Sequence, residues 1–324
     1  MEHNTLAMQL DFRDIEYVSM IAQEHSISRA AARLHITQPA LSIYLKNLET
    51  RLGIPLFNRL GKQMLPTYAG SCVVEQGRGL LLGRSGLSQQ LQDIKNHENG
   101  LIRLGITPTR GIYFLPMMLH NFRQRFPQIE VQCTEADAQQ LEEMLLSGTL
   151  DVAFINLVSH NDKLAYQQII QDAVVLFVSQ QLYEHLPREQ RSGFAHPWVD
   201  LRELASEPFI RNYPEQHTEQ IAQQAFRDYG IEPPTAIRIS NHLTALNLAA
   251  YGYGAYLSLE YLAYNLMLRV KPAVLSIGET PGEYGMKFVA ATAKGAYQGT
   301  ALKGFIDMAR QMYTYEFLPA FPPL

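Results

Sequence analysis

The run Ser28-Arg-Ala-Ala-Ala-Arg-Leu-His-Ile-Thr-Gln-Pro-Ala-Leu-Ser42 decides how the N-terminal part of this chain folds. Ser28 is placed to cap a short helix over Arg29 to Leu34. Ala30, Ala31 and Ala32 leave so little bulk there that another helix can cross close by. After His35 and Ile36, Thr37 stands as an N-cap, with Pro39 in a first turn where a missing N–H costs nothing. In the helix that follows, Leu41, Leu45, Leu48 and Leu52 share a narrow arc and point at a core. The opposite arc carries Gln38, Pro39, Ser42, Ile43, Lys46 and Asn47, unlike the Glu and Lys mixture of a merely solvated face. Gln and Ser can read base edges, Lys can pair with phosphate, and an exposed Ile can meet a thymine methyl. Helix, tight turn and helix with such a face is a helix-turn-helix pattern, although a small three-helix unit without a ligand shares its periodicity.

The flanks extend the unit. Asp11 can cap an earlier helix in which Phe12, Ile15, Val18, Ile21 and Ala22 recur at three- and four-residue spacing, ending near Glu24 to Ser26. Beyond Gly53, Leu56 to Arg59 and Gly61 to Thr67 read as a hairpin wing with Arg59 and Lys62 near its tip. The chain as a whole carries −4, but Arg29, Arg33, Lys46, Arg51, Arg59 and Lys62 against the single acid Glu49 make 29–62 a net +5. A basic island on an acidic chain suits a one-sided contact with nucleic acid.

The run above, followed by Leu48-Glu and by Leu52-Gly-Ile-Pro-Leu-Phe-Asn-Arg59, resembles the winged helix-turn-helix of LysR-type transcriptional regulators. The resemblance implies that Gln38, Pro39 and Ser42 face bases while Thr37, Lys46, Arg59 and Lys62 hold the DNA backbone. Arg29, Arg33 and Ile43 complete the set expected at the DNA. Ile43 and Tyr44 stand where family members usually carry polar residues such as Arg and Gln, so specificity is sought there.

After Thr67 a helix is expected to about Asn96, with Val73, Leu80, Leu87 and Ile94 seven residues apart and Gly77 and Leu91 flanking the stripe. A heptad stripe with no core of its own looks for a partner helix, which makes this the dimerisation segment. Gly70, Gly77, Gly79, Gly83 and Gly86 weaken the helix, so a kinked helix packed on its own chain is the alternative.

From Leu101 strand and helix alternate: strands at 101–107, 129–134 and 152–157, helices at 113–126 and 139–146, then strands at 174–179, 208–212, 236–240 and 255–258. Such alternation means a parallel sheet covered on both faces. The fold class is therefore α/β, with an all-α, winged helix-turn-helix N-terminal domain, a long linker helix, and a two-lobed, doubly wound effector domain like the periplasmic-binding-protein-like domain of the resembled family. The expected domains are 1–66, 67–97 and 98–324, with lobe I at 98–170 and 271–324 and lobe II at 171–270.

Ligands of such folds bind outside the carboxyl ends of strands, between lobes. That places Thr107, Pro108, Thr109 and Arg110 at the mouth, where a helix start and Arg110 favour an anion. Val178, Ser179, Arg211, Asn212, Tyr213 and His242 face them. A small carboxylate-bearing metabolite is expected there, although any one of these side chains could as well be a turn cap.

Other classes fare worse. No GxSxG, Walker loop or GxGxxG occurs, so no enzyme is read, and no HxxxH or CxxC pair supports a metal or cofactor. Cys72 and Cys133 are too few for a disulfide framework and read as packing residues rather than a redox pair. The first thirty residues hold no secretory signal, and 239–259 is too polar for a bilayer span, so the cytoplasm is expected. A cytosolic solute-binding protein of the same fold is the rival reading. The expected partners are double-stranded operator DNA, a small-molecule effector and a second copy in a homodimer that assembles to a tetramer. RNA polymerase is a further partner to consider, and no membrane is involved.

Overall fold

The computed structural model describes residues 10–61, 63–95, 100–264 and 268–315. The N-terminal unit is α1 (Phe12–Glu24), α2 (Ile27–Arg33) and α3 (Gln38–Leu52), followed by β1 (Phe57–Leu60) and β2 (Gln63–Pro66). Asp11 and Asp14 cap α1 reciprocally, each carboxylate taking the other's backbone N–H. His25 ends α1 at a left-handed φ of 47°, and Ser26 rather than Ser28 caps α2. The earlier start follows from Ile27, which the extra turn buries in the core. Thr37 caps α3 as expected, its hydroxyl accepting from Ala40 N at 3.4 Å. Leu41, Leu45, Leu48 and Leu52 are buried with Val18, Ile21, Ala30 and Ala31. The wing is an antiparallel pair with Phe57 opposite Pro66 and Leu60 opposite Gln63, while Lys62 lies outside the described residues.

The linker helix α4 (Tyr68–Lys95) runs unbroken through its glycines. Two of them are close approaches: a Cβ at Gly70 would lie 2.1 Å from the Leu56 carbonyl oxygen, and one at Gly77 would lie 2.3 Å from Ile15 Cγ2. The heptad stripe therefore divides. Its first turns do have a core to cover, since Val73 and Val74 pack on the N-terminal unit, whereas Leu80, Leu87 and Leu91 are more than half exposed. The side chain of Ile94 lies outside the described residues.

The remainder begins with β3 (Gly100–Ile106), α5 (Pro108–Arg125), β4 (Ile129–Glu135), α6 (Ala138–Leu146), β5 (Val152–Leu157) and the long β6 (Leu164–Val178). It continues through α7 (Gln180–His185), β7 (Phe209–Arg211), α8 (His217–Asp228), β8 (Thr235–Arg238), α9 (His242–Ala250), β9 (Tyr256–Leu259) and α10 (Tyr261–Tyr264). The last elements are β10 (Ala273–Ser276), β11 (Gly285–Ala293) and α11 (Thr300–Tyr315). α5 starts five residues before the expected position because Thr107 is extended and Pro108 presets the first helical turn.

The sheet is mixed rather than parallel. β3 runs parallel to β4 and β5, but β11 lies antiparallel between β5 and β6. The return to the first lobe also comes later than Lys271, because β10 still pairs with Val175 to Val178 of β6 and only β11 crosses back. Two cores result. One gathers β3, α5, β5 and α11 around Phe114, Phe154 and Phe305, and the other gathers α8, α9 and β9 around Phe177, Phe209 and Tyr256.

The glycines of α4 separate into two kinds that a stability measurement distinguishes. Gly70→Ala must push against backbone and is expected to cost about 1–3 kcal/mol. Gly83→Ala meets nothing within 4 Å and should gain up to ~1 kcal/mol from helix propensity. Denaturant unfolding of both variants checks this, and loss of stability in both would contradict it.

Candidate nucleic-acid interface and effector cleft

On α3, Gln38, Pro39, Ile43, Lys46 and Asn47 are exposed and Ser42 is half-buried, so the outward arc is free at its amino end. Ile43 is 61% exposed, a large apolar side chain with no packing role. Tyr44 departs from the expectation that it helps set specificity. It turns inward, donates to Asp14 Oδ1 at 2.8 Å and packs on Tyr17 with ring centroids 4.6 Å apart. Asp14 is fully buried and also accepts from Arg51 at 2.5 Å, so it ties α1 to α3. Burial first, then the bond to Asp14, raises the Tyr44 hydroxyl above the ordinary tyrosine range.

Arg29 and Arg33 both pair with Glu24, at 3.3 and 3.2 Å, so part of the basic island is answered within its own domain. Arg59 is exposed on β1. Glu49, the one acid of the island, turns away from the basic face: its Oε1 accepts from the N–H groups of Leu56 and Phe57 and fixes where the wing begins.

The effector residues divide more sharply. Arg110 is not a free cation at the mouth. It is 1% exposed, bonded to Asp172, 3.2 Å from Asn156 Oδ1 and 3.3 Å from the Tyr313 hydroxyl. Its guanidinium lies between the Tyr261 and Phe288 rings, 3.7 and 4.0 Å from their centroids. Burial opposes its charge most strongly, but Asp172 together with the Tyr313 and Tyr261 side chains more than offsets that and keeps it protonated. Arg211 is likewise buried and forked onto Glu219, with 3.0 and 3.1 Å from Nε to the two oxygens. Val178 is fully buried, and Ser179 caps α7.

Asn212 is engaged on both atoms of its amide. Its Nδ2 donates to Ile239 O, and its Oδ1 accepts from Thr218 and from the Tyr256 hydroxyl. The Tyr256 proton is thus committed, so the 2.6 Å contact with His242 requires Nδ1 of the imidazole to donate. That leaves His242 Nε2 as an acceptor. Thr107 makes no side-chain cap bond, Thr109 is half-buried, and Pro108 and Tyr213 are exposed. Arg211, Asn212 and His242 thus belong to one network through Glu219 and Tyr256. No described hydrogen bond joins that network to 107–110; the lobes meet instead through Arg110 and the Tyr113–Tyr261 ring contact.

The family model for the LysR substrate binding domain matches residues 95–314, and that for the bacterial regulatory helix-turn-helix protein, lysR family, matches residues 12–71. The chain belongs to the LysR family. Among its relatives is the uncharacterized HTH-type transcriptional regulator YcgK of Bacillus subtilis, 27% identical over 95% of this chain and 96% of that protein. The dual regulator OxyR of Escherichia coli is 28% identical over 76% of this chain and 77% of its own length. A full-length OxyR variant from Pseudomonas aeruginosa shares the fold with a TM-score of 0.67 at 19% identity, covering 93% of this chain and 95% of that one. Full-length CbnR in complex with its target DNA gives 0.55 at 22% identity, covering 93% and 99%.

As a LysR-type transcriptional regulator, the chain departs from the expectation that its cysteines are packed. Cys72 on α4 and Cys133 on β4 are both exposed. Desolvation of the Cys133 sulfur, then the Glu135 charge on the same strand, pushes its thiol up to about 11, so it is not a ready thiolate. Among the described residues no helix is long and apolar enough to cross a membrane, and no group of three or more side chains is placed to hold a metal.

Burial lowers the His242 pKa below 6.5. A depressed histidine leaves stability intact above its unfolded pKa and removes it as pH falls through that range. The wild type should therefore lose more thermal stability between about pH 7.5 and about pH 5.5 than His242→Gln does. Equal losses in the two proteins would exclude His242 as the cause.

Proposed function

We propose that this LysR-type regulator reads operator DNA through the amino end of α3 and the wing, as a homodimer joined along α4, with pairs of dimers forming tetramers. The carrying observation is the outward arc of Gln38, Pro39, Ser42, Ile43 and Lys46, a polar and apolar reading face on a domain whose inward arc is already filled. Exposed Leu80, Leu87 and Leu91 supply the dimer stripe. Thr37, Arg59 and Lys62 are assigned to the DNA backbone. Arg29 and Arg33 reach it only by leaving Glu24.

Ile43 is the specificity residue, in contact with a thymine methyl. Sequences selected from a random pool should shift at one operator position in Ile43→Arg. Tyr44→Phe should keep the wild-type preference and cost about 1–2 kcal/mol by leaving buried Asp14 short of a donor. An unchanged preference in Ile43→Arg removes the assignment.

The effector is a small metabolite with a carboxylate seated at the start of α5. The helix N-terminus and the Thr107 and Thr109 hydroxyls receive it, in place of Arg110 and Arg211, whose charges are spent. Tyr213 and the Nε2 of His242 are assigned to the opposing wall. Calorimetry of the full chain against a panel of carboxylates and their amides should favour the acids, with Thr109→Val weakening them by about tenfold. Preference for the amides overturns the reading.

A further inference from the structure

A cavity of about 520 Å3 lies between the reading head and the effector domain, and of its wall residues only Arg33 has been given a role above. Its walls are α1, the end of α2, α4, the start of β3 and the turn before β5. The volume is that of a small-molecule site. Three guanidinium groups reach it from three parts of the chain: Arg33 from the reading head, Arg84 from the linker and Arg103 from the effector domain. Ser85, Ser88 and Thr149 add hydroxyls.

The three cations are held with different firmness. Arg103 is fixed, its Nη2 2.7 Å from Asp151 Oδ1 and 2.9 Å from Ser85 Oγ. Arg84 pairs with Glu16 at 2.9 Å and Arg33 with Glu24 at 3.2 Å, and both guanidinium groups are about half exposed. Half-exposed pairs contribute little and exchange easily for a better acceptor. Glu16 is the one carboxylate among the described wall residues, while Glu24 and Asp151 answer Arg33 and Arg103 from outside the wall. Leu81, Ser85 and Ser88 lie roughly a quarter-turn of α4 or more away from Leu80, Leu87 and Leu91, while Arg84 flanks the stripe at about 40°, so the cavity opens beside the dimer stripe with Arg84 at their shared edge. The two domains already meet beside it, where Gln23 Nε2 donates to Glu143 Oε2 at 2.9 Å.

We propose that this junction is a second ligand site, separate from the interlobe cleft, for a small metabolite with at least two anionic oxygen groups, carboxylate or phosphate, that bridges Arg33, Arg84 and Arg103. Such a ligand fixes the reading head against the effector domain. It competes with two weak internal ion pairs and displaces no buried one.

Calorimetry of the full-length protein with citrate and with pyrophosphate separates the two anion chemistries. One of them should bind at a single site per chain, and the double variant Arg33→Gln/Arg84→Gln should weaken it by about tenfold or more. The cavity-filling Ser88→Trp should abolish it, and Thr109→Val in the cleft should leave it intact. Saturating the site should also change operator affinity. The proposal is overturned if neither anion binds, if both junction variants bind as the wild type does, or if binding is lost instead on Thr109→Val or on Arg59→Gln at the DNA face. The cleft reading is tested by its own carboxylate panel and stands or falls separately.

Discussion

Arg110 lies sealed between two aromatic rings with Asp172 as its counter-charge. A guanidinium so buried is tolerable only when answered, and removal of the answering carboxylate from such a pair costs on the order of 3–5 kcal/mol. The elements that surround it must therefore arrive together: α5 carries Arg110, β6 carries Asp172, α10 and β11 carry the rings, and α11 carries Tyr313. Asp172 sits opposite Met286 on β11, between Ile169 in one core and Val174 in the other. The ion pair thus stands at the crossing of the two lobes. Whatever moves one lobe against the other must carry this pair intact or leave a charge unanswered.

The parts of the fold that periodicity controls are legible in the sequence. Asp11 and Thr37 cap the helices expected of them, the α3 leucines are the core, and most of the expected strands end within a few residues of the observed ones, but β6 begins at Leu164, ten residues before the expected 174, and β10 and β11 lie outside the expected set. The arginines misled because sequence displays charge and hides burial. Asp172 is 62 residues from Arg110, and Glu219 meets Arg211 across the loop that leads from the end of β7 into α8. Tyr44 was partly readable: it lies three residues after Leu41 and four before Leu48, on the edge of the buried arc, and only its bond to Asp14 needed three dimensions. The strand direction of β11 was not readable, because alternation of strand and helix leaves the sense of a returning strand open.

That use of charge narrows what the cleft can recognise. With Arg110, Arg211 and Asn212 committed, the cleft proposed above is left with Thr107, Thr109, Tyr213 and His242 as its candidates for selectivity. His242 is held neutral by burial and oriented by Tyr256, so it presents an acceptor, while the start of α5 presents donors. A ligand that satisfies both walls needs an acceptor group at one end and a donor at the other. This polarity distinguishes metabolites more finely than net charge does.

The helix α4 is where the two halves of the molecule become one mechanical unit. Its glycines at 70 and 77 let it lie on the wing and on α1 at backbone distance, so the reading head is seated on the helix rather than tethered to it. Further along, Leu82 reaches Gly148 and Ser85 takes a bond from Arg103, so the same helix is seated on the effector domain. A third face carries the exposed leucines. A rotation of α4 about its axis would therefore be felt by both domains at once and, in the proposed dimer, by the partner. Coupling between an effector and DNA needs a shared element with contacts on each side, and α4 is that element.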